Sequence, residues 1–231
     1  MDFLDSEFLQ TMQLTFKLAF YTTLCLLPIG IALALIVDSL KPKFSIILQA
    51  LIWMPLILPP SVLGFYLLVI FNRHNPLGAF LLEYCSFQLA FSFSGLVVAS
   101  VIFSLPFMVN PIKNAISSLP PSLKEASYTL GKGKIFTFLY VLMPNIRSSI
   151  LLGCVTSFAH TIGEFGVVMM IGGSRAGETK VASIAIYEQV ETLNYTLAHQ
   201  YALTLFVISF ISLCVIFAFM RKYTNHSTQI L

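Results

Sequence analysis

Four stretches, 18–37, 45–71, 89–109 and 201–220, contain no Asp, Glu, Lys or Arg. A hydrocarbon core about 30 Å thick takes roughly 20 residues of α-helix, so each of them is long enough to cross a bilayer. A fifth stretch, 148–171, has the length but carries His160 and Glu164. A chain in lipid must close its own backbone hydrogen bonds, and these runs show no two-residue alternation, so strands of a barrel are excluded. The expected fold is all-α: one polytopic bundle of about five membrane spans over residues 1–231. Stretches 77–84 and 181–187 are too short to cross and read as loop, interfacial or re-entrant helix. The composition agrees, with 57% hydrophobic and 10% charged residues, too little polar surface for a soluble domain of this size.

Five spans put the termini on opposite sides. Lys41, Lys43, Lys113, Lys124, Lys132, Lys134, Arg147, Arg221 and Lys222 then fall on one side, nine of the 13 basic residues. The other side holds Lys17, Arg73, Arg175 and Lys180 with seven of the ten acids. The positive-inside rule makes the first side cytoplasmic. The N-terminus is therefore expected outside and the C-terminus and the loop at about 113–147 in the cytoplasm. Asp2, Asp5 and Glu7 ahead of Lys17 leave no basic n-region, so the first span is expected to be kept.

Several classes of function are excluded. The net charge of +3, without a basic block interleaved with aromatics, gives no nucleic-acid surface. Cys25, Cys85, Cys154 and Cys214 form no C-x-x-C pair; they read as small buried hydrophobes, and neither metal nor cofactor is expected. No G-x-x-x-x-G-K-[ST] loop occurs, so ATP phosphates have no usual cradle here.

Two places carry chemistry. The first is the cytoplasmic stretch 120–144, "PPSLKEASYTLGKGKIFTFLYVLMP". Ser122 and Glu125 have capping-box spacing, so a short helix is expected from near Leu123, and Gly131 is placed to end it. Ala126 and Ser127 give that helix a low profile that another protein could approach; by pattern alone it could also lie on the membrane surface. The second is the span with Glu164. A carboxylate at that depth must face the bundle or a cavity, and His160, four residues earlier, is its expected partner, as a structural lock or as part of a gate. Gly163 and Gly166 permit close helix approach or a bend. Ser157 and Thr161 share a face and offer hydroxyls, to a passing anion or to their own backbone. Pro28, Pro55, Pro59, Pro60 and Pro106 are expected to kink their spans.

Glu125, Ala126, Ser127, Gly131 and the run Val141 to Pro144 resemble the coupling loop of ABC importer permeases, E-A-A-x3-G-x9-I-x-L-P. The departures are Ser127 for Ala, Val141 for Ile and Met143 for Leu. The stretches "MPLILPP" (54–60), "LPFMV" (105–109), "FAHTIGEFG" (158–166) and "AGETKVASIAIYEQV" (176–190) are similar to the permeases of molybdate importers, with tungstate and sulfate permeases as near relatives. His160 stands where such relatives often carry Arg.

The resemblance implies the type I importer permease fold and a non-catalytic subunit of the bacterial inner membrane, surrounded by lipid and working as a homodimer. Its implied partners are a separate ATP-binding cassette ATPase and a periplasmic molybdate-binding protein. Glu125 is then a contact and Gly131 a hinge of the ATPase joint, with Pro144 closing the motif. The gate residues on this reading are Ser157, His160, Thr161, Gly163, Glu164 and Gly166. The rival from another class is an intramembrane enzyme using Glu164 and His160 as acid and base.

Overall fold

The computed structural model describes residues 6–85 and 87–227. Asp2 and Asp5 lie outside them, as do the side chains of Cys85, Arg221 and Lys222. Every regular element among the described residues is helical. Helix α1 spans Ser6–Ser39, α2 Pro42–Ile57, α3 Pro60–Phe71, α4 Pro76–Cys85, α5 Phe93–Ser118 and α6 Pro121–Thr129. Then come α7 Lys134–Thr137, a π-helical turn Phe138–Leu142, α8 Met143–Gly163, α9 Gly166–Gly172, α10 Ala182–Glu191 and α11 Tyr195–Ser227.

Four helical stretches are long and apolar enough to cross a membrane, with α2 and α3 together a fifth, bent by 105°. The five expected spans are therefore present, and two are broken. Residues 45–71 do not form one rod. Pro59 and Pro60 remove consecutive amide donors, α2 stops at Ile57, and α3 restarts with Pro60 in its first turn, where a missing N–H costs nothing. By contrast α1 continues as helix through Pro28, and α5 through Pro106 and Pro111. The stretch 148–171 is likewise interrupted, between Gly163 and Gly166. The segments too short to cross are the short helices α4 and α10.

Other boundaries moved outward. Helix α1 is already formed at Ser6, well ahead of Leu18, and this first part is held by buried Thr11, Met12, Leu14 and Thr15, Met12 against Ala182, Ala185 and Tyr201. Helix α5 starts where Ser92 accepts the Gly95 amide at 3.2 Å.

Helices in lipid gain little by hiding apolar surface, so association rests on close packing around small residues. Ala19, Ala34 and Ala99 are fully buried, and Met108 of α5 fills notches at Gly30 of α1 and Gly153 of α8. One apolar cluster gathers Leu14, Leu18, Leu63, Leu96, Val167 and Ile171; a second, further along the bundle, gathers Leu26, Ile52, Met108, Ile112, Ile116 and Ile146. The cysteines depart from expectation: Cys25 and Cys214 point out of the bundle and Cys154 is half-buried. An outward face in hydrocarbon is as apolar as a core, so a thiol there needs no burial.

The charges sort to two ends, as their sequence pattern requires. At one end Lys124 pairs with Asp38 at 2.8 Å. At the other, Lys180 joins Glu7 at 2.9 Å and Glu188 at 2.7 Å, tying α1 to α10. Burial would lower the Lys180 pKa, but the hydrogen bonds and charges of Glu188 and Glu7 outweigh it and hold the ammonium above the usual lysine range. Burial would raise Glu188, but the Lys180 hydrogen bond and charge, aided by the Ser174 hydroxyl, hold it below the usual range.

The Glu188 contribution is therefore present above the ordinary glutamate range and lost as pH falls through its depressed value. The Lys180 contribution is present below the ordinary lysine range and lost as pH rises through its raised value. Lys180→Met should lower stability by about 1–3 kcal/mol at neutral pH. Thermal unfolding in detergent checks this: the gap between variant and parent should narrow in strong acid, and a gap independent of pH would refute the ion network as its cause.

Candidate functional site

The loop carrying the motif leaves the basic end of the bundle as α6. It does not start as the S-x-x-E spacing suggests. The helix begins at Pro121, two residues early, and no side chain caps it. Two prolines decide this: Pro120 holds an extended backbone (φ −56°, ψ 132°), and Pro121 presets the first helical φ, leaving Ser122 already inside the first turn. The end is as expected. Gly131 takes φ +72°, the Lys132 amide donates to Ser127 C=O at 3.1 Å and the Gly131 amide to Tyr128 C=O at 2.9 Å, a Schellman closure that favours glycine.

Glu125 and Ala126 are exposed, but Ser127 is buried: its hydroxyl meets that of Thr137 on α7 at 2.8 Å. The low profile at Ser127 thus serves packing within the chain, and a partner's approach is left to Glu125, Ala126 and Leu130, the last 76% exposed. Pro144 has its own structural effect. It cannot donate to the Tyr140 carbonyl, and the ladder widens just before it, with the Met143 amide reaching Phe138 C=O five residues back. Sequence reasoning missed Asp38, which anchors α6 to the end of α1 through Lys124. Its signal was an acid standing among the basic residues of that end.

The second site is the pair of helix breaks, which lie against each other. Helices α3 and α9, the halves that follow the two breaks, pack closely: a Cβ on Gly64 would stand 2.6 Å from Met170 Cβ, and one on Gly166 2.7 Å from Pro60 Cβ. Gly163 is exposed with nothing within 4 Å, so of the two glycines only Gly166 makes a close approach. Gly166→Val should cost about 1–3 kcal/mol by prying α9 from α3. Gly163→Ala is the control; equal falls in unfolding temperature for the two would refute the contact.

The expected His160–Glu164 pair does not form. Helix α8 ends at Gly163, and Glu164 is extended (φ −69°, ψ 128°), which carries its side chain off the face that holds His160. His160 Nδ1 instead meets Ser104 Oγ at 2.9 Å, with the Phe103 and Phe107 rings 5.0 and 4.3 Å away. Glu164 is 4% exposed, its carboxyl set near the Ser100 hydroxyl. Its backbone carbonyl accepts from Ser183 at 2.6 Å. Thr161 donates to Ser157 C=O at 2.9 Å, satisfying its own backbone, while the Ser157 hydroxyl is unpartnered. With acid and base turned apart, the pair required by an intramembrane enzyme is not assembled.

A bundle of this plan matches known proteins. The chain of a bacterial alginate ABC transporter, solved in complex with an alginate-bound periplasmic protein, superposes with a TM-score of 0.76, covering 96% of this chain and 81% of that one at 19% identity. A molybdenum transport system permease protein, ModB, of Azotobacter vinelandii is 38% identical over 218 residues, 94% of this chain and 96% of that protein. Its counterpart in Escherichia coli K12 is 32% identical over 183 residues, 79% and 80% of the two chains. The family model described as "Binding-protein-dependent transport system inner membrane component" matches residues 27–229. With nearly the whole length matched and the broken, polytopic bundle in place, this chain belongs to that family of multi-pass inner-membrane transport subunits.

Proposed function

We propose that this chain is the membrane-spanning subunit of an ATP-driven importer of molybdate. On this reading it is a single permease domain, works as a homodimer, receives its substrate from a periplasmic binding protein and takes its energy from a separate ATPase. The observation that carries the mechanism is the exposed α6, presenting Glu125, Ala126 and Leu130 while Lys124 ties it to Asp38 at the end of α1. A push on α6 then reaches a helix that runs the length of the bundle. The molybdate reading is supported by the likeness at 38% identity across almost the full chain.

The N-terminus is outside and the basic end cytoplasmic, where an ATPase can reach α6. Gly131 lets α6 turn relative to α7, and the widened turn before Pro144 gives the following span its freedom at the base. The paired breaks at Pro59 and Glu164, with Ser157, His160, Thr161, Gly163 and Gly166 around the second, form the gate region. A bare carboxylate repels an oxyanion, so Glu164 acts in the build of the gate and not as a ligand of the substrate.

The test is uptake of labelled molybdate into vesicles holding this chain, its ATPase and a binding protein, with tungstate and sulfate as competitors. ATP-dependent uptake that sulfate competes with poorly supports the reading. Uptake that follows sulfate would overturn the substrate, and uptake without the ATPase would overturn the mechanism.

A further inference from the structure

Two spans, α1 and the stretch 134–163, come to the basic end of the bundle together, and a cavity of about 370 Å³ lies between them and α6. Small-molecule sites enclose roughly 300–1,000 Å³, so it has room for a guest. Its lining is of two kinds. Leu35, one turn inside the end of α1, and Leu142, well into the second stretch, give it apolar walls. Asp38 at the end of α1, Lys124 and Tyr128 of α6, and Lys134 at the start of α7 give it a charged end.

The charges there do not balance. Lys124 is matched by Asp38 at 2.8 Å. Lys134 is exposed and makes no ion pair among the described residues. Two ammonium groups against one carboxylate leave the cavity one positive charge in excess.

The surface beside it belongs to the membrane boundary. Ile135 is 78% exposed and Leu139 half-exposed, and both also line the cavity. Next to them the Phe136 and Tyr140 rings stack at 4.6 Å, with the Lys132 ammonium 4.9 Å from the Phe136 centroid. Aromatic and apolar side chains interleaved with lysines at the start of a span mark the level of the lipid headgroups. The guest that reaches this cavity therefore comes from the bilayer.

We propose that the cavity binds one anionic phospholipid, its phosphate beside Lys134 and Lys124 and the upper part of an acyl chain along Leu35, Leu139 and Leu142. One phosphodiester carries one negative charge and cancels the excess, whereas a zwitterionic lipid brings its own cation and leaves the excess unmet. Basic pockets between membrane helices are a general way to hold such headgroups. The lipid would join α6 to both spans beside the Asp38–Lys124 contact and so brace the motif-bearing loop. A soluble phosphate could meet the same lysines but would leave the leucine walls bare. The site depends neither on which substrate the chain carries nor on which leaflet its basic end faces.

The test is thermal unfolding of the full chain, purified in detergent, as phosphatidylglycerol or phosphatidylcholine is added to the micelles at fixed ionic strength, with native mass spectrometry counting the lipids retained. Phosphatidylglycerol should raise the midpoint in a saturable way with one lipid retained, and phosphatidylcholine should not. Lys134→Gln should raise the half-saturating fraction about fivefold, and Lys134→Arg should restore most of it. Lys43→Gln removes a charge from the same end without lining the cavity and should change nothing. Equal responses to the two lipids, or equal losses in Lys43→Gln and Lys134→Gln, would overturn the site. Glycerol 3-phosphate reproducing the effect would assign the lysines to a soluble phosphate, and loss of the lipid on binding the ATPase would give the cavity to that partner; either overturns it as well.

Discussion

Glu125→Lys should leave the chain inserted and folded while cutting ATP-driven uptake by about tenfold or more. The side chain is exposed on α6, makes no ion pair among the described residues, and faces away from the buried Ser127–Thr137 contact. Reversing its charge therefore disturbs little inside the bundle, and thermal unfolding should be within experimental scatter of the parent. Against a partner surface the same change sets a cation where an anion was received, a mismatch worth about 2–5 kcal/mol when the contact is desolvated. ATP hydrolysis by the assembled complex, measured with uptake, separates the outcomes. Hydrolysis that persists without transport is the expected result, and normal uptake would remove Glu125 from the joint.

The second large effect is expected at the other face of the same helix. Lys124→Glu sets two carboxylates together where the ammonium now meets Asp38 at 2.8 Å, in a setting only partly open to water. An exposed pair of this kind is worth at most about 1 kcal/mol, and replacing attraction with repulsion roughly doubles the swing. That is small against the stability of the bundle but large for a short helix held to the rest of the chain by few contacts, so uptake should fall by about tenfold. The double variant Asp38→Lys with Lys124→Glu restores the pair in reverse. Recovery of uptake in the double variant is the decisive observation; continued loss would mean that Lys124 acts on the partner and not through α1.

Gly131 and Pro144 stand at either end of the segment between α6 and α8 for different reasons. Glycine permits the positive φ that ends α6, and proline forces the widened turn at the start of the next span. Both were readable as punctuation because their effects are local. The same locality explains the failure of the Ser122–Glu125 cap, where a stronger local signal, two consecutive prolines, preset the helix start and left the spacing without a role.

Sequence alone determined the membrane class, the five spans, the split of charge between two ends, and the existence of a short helix ending before Gly131. These follow from what the solvent demands of each segment by itself: apolar length for a span, and removal of charge from hydrocarbon. Tertiary structure decided what the segments do to one another. It paired the breaks at Pro59 and Glu164 through Gly64 and Gly166, turned Ser127 inward, gave Asp38 to Lys124 and His160 to Ser104, and buried the Glu164 side chain. The i to i+4 rule that joined His160 to Glu164 holds only on an unbroken helix. The contacts with α3, α5 and α10 that accompany the break come from residues distant in sequence, and no local pattern encodes them.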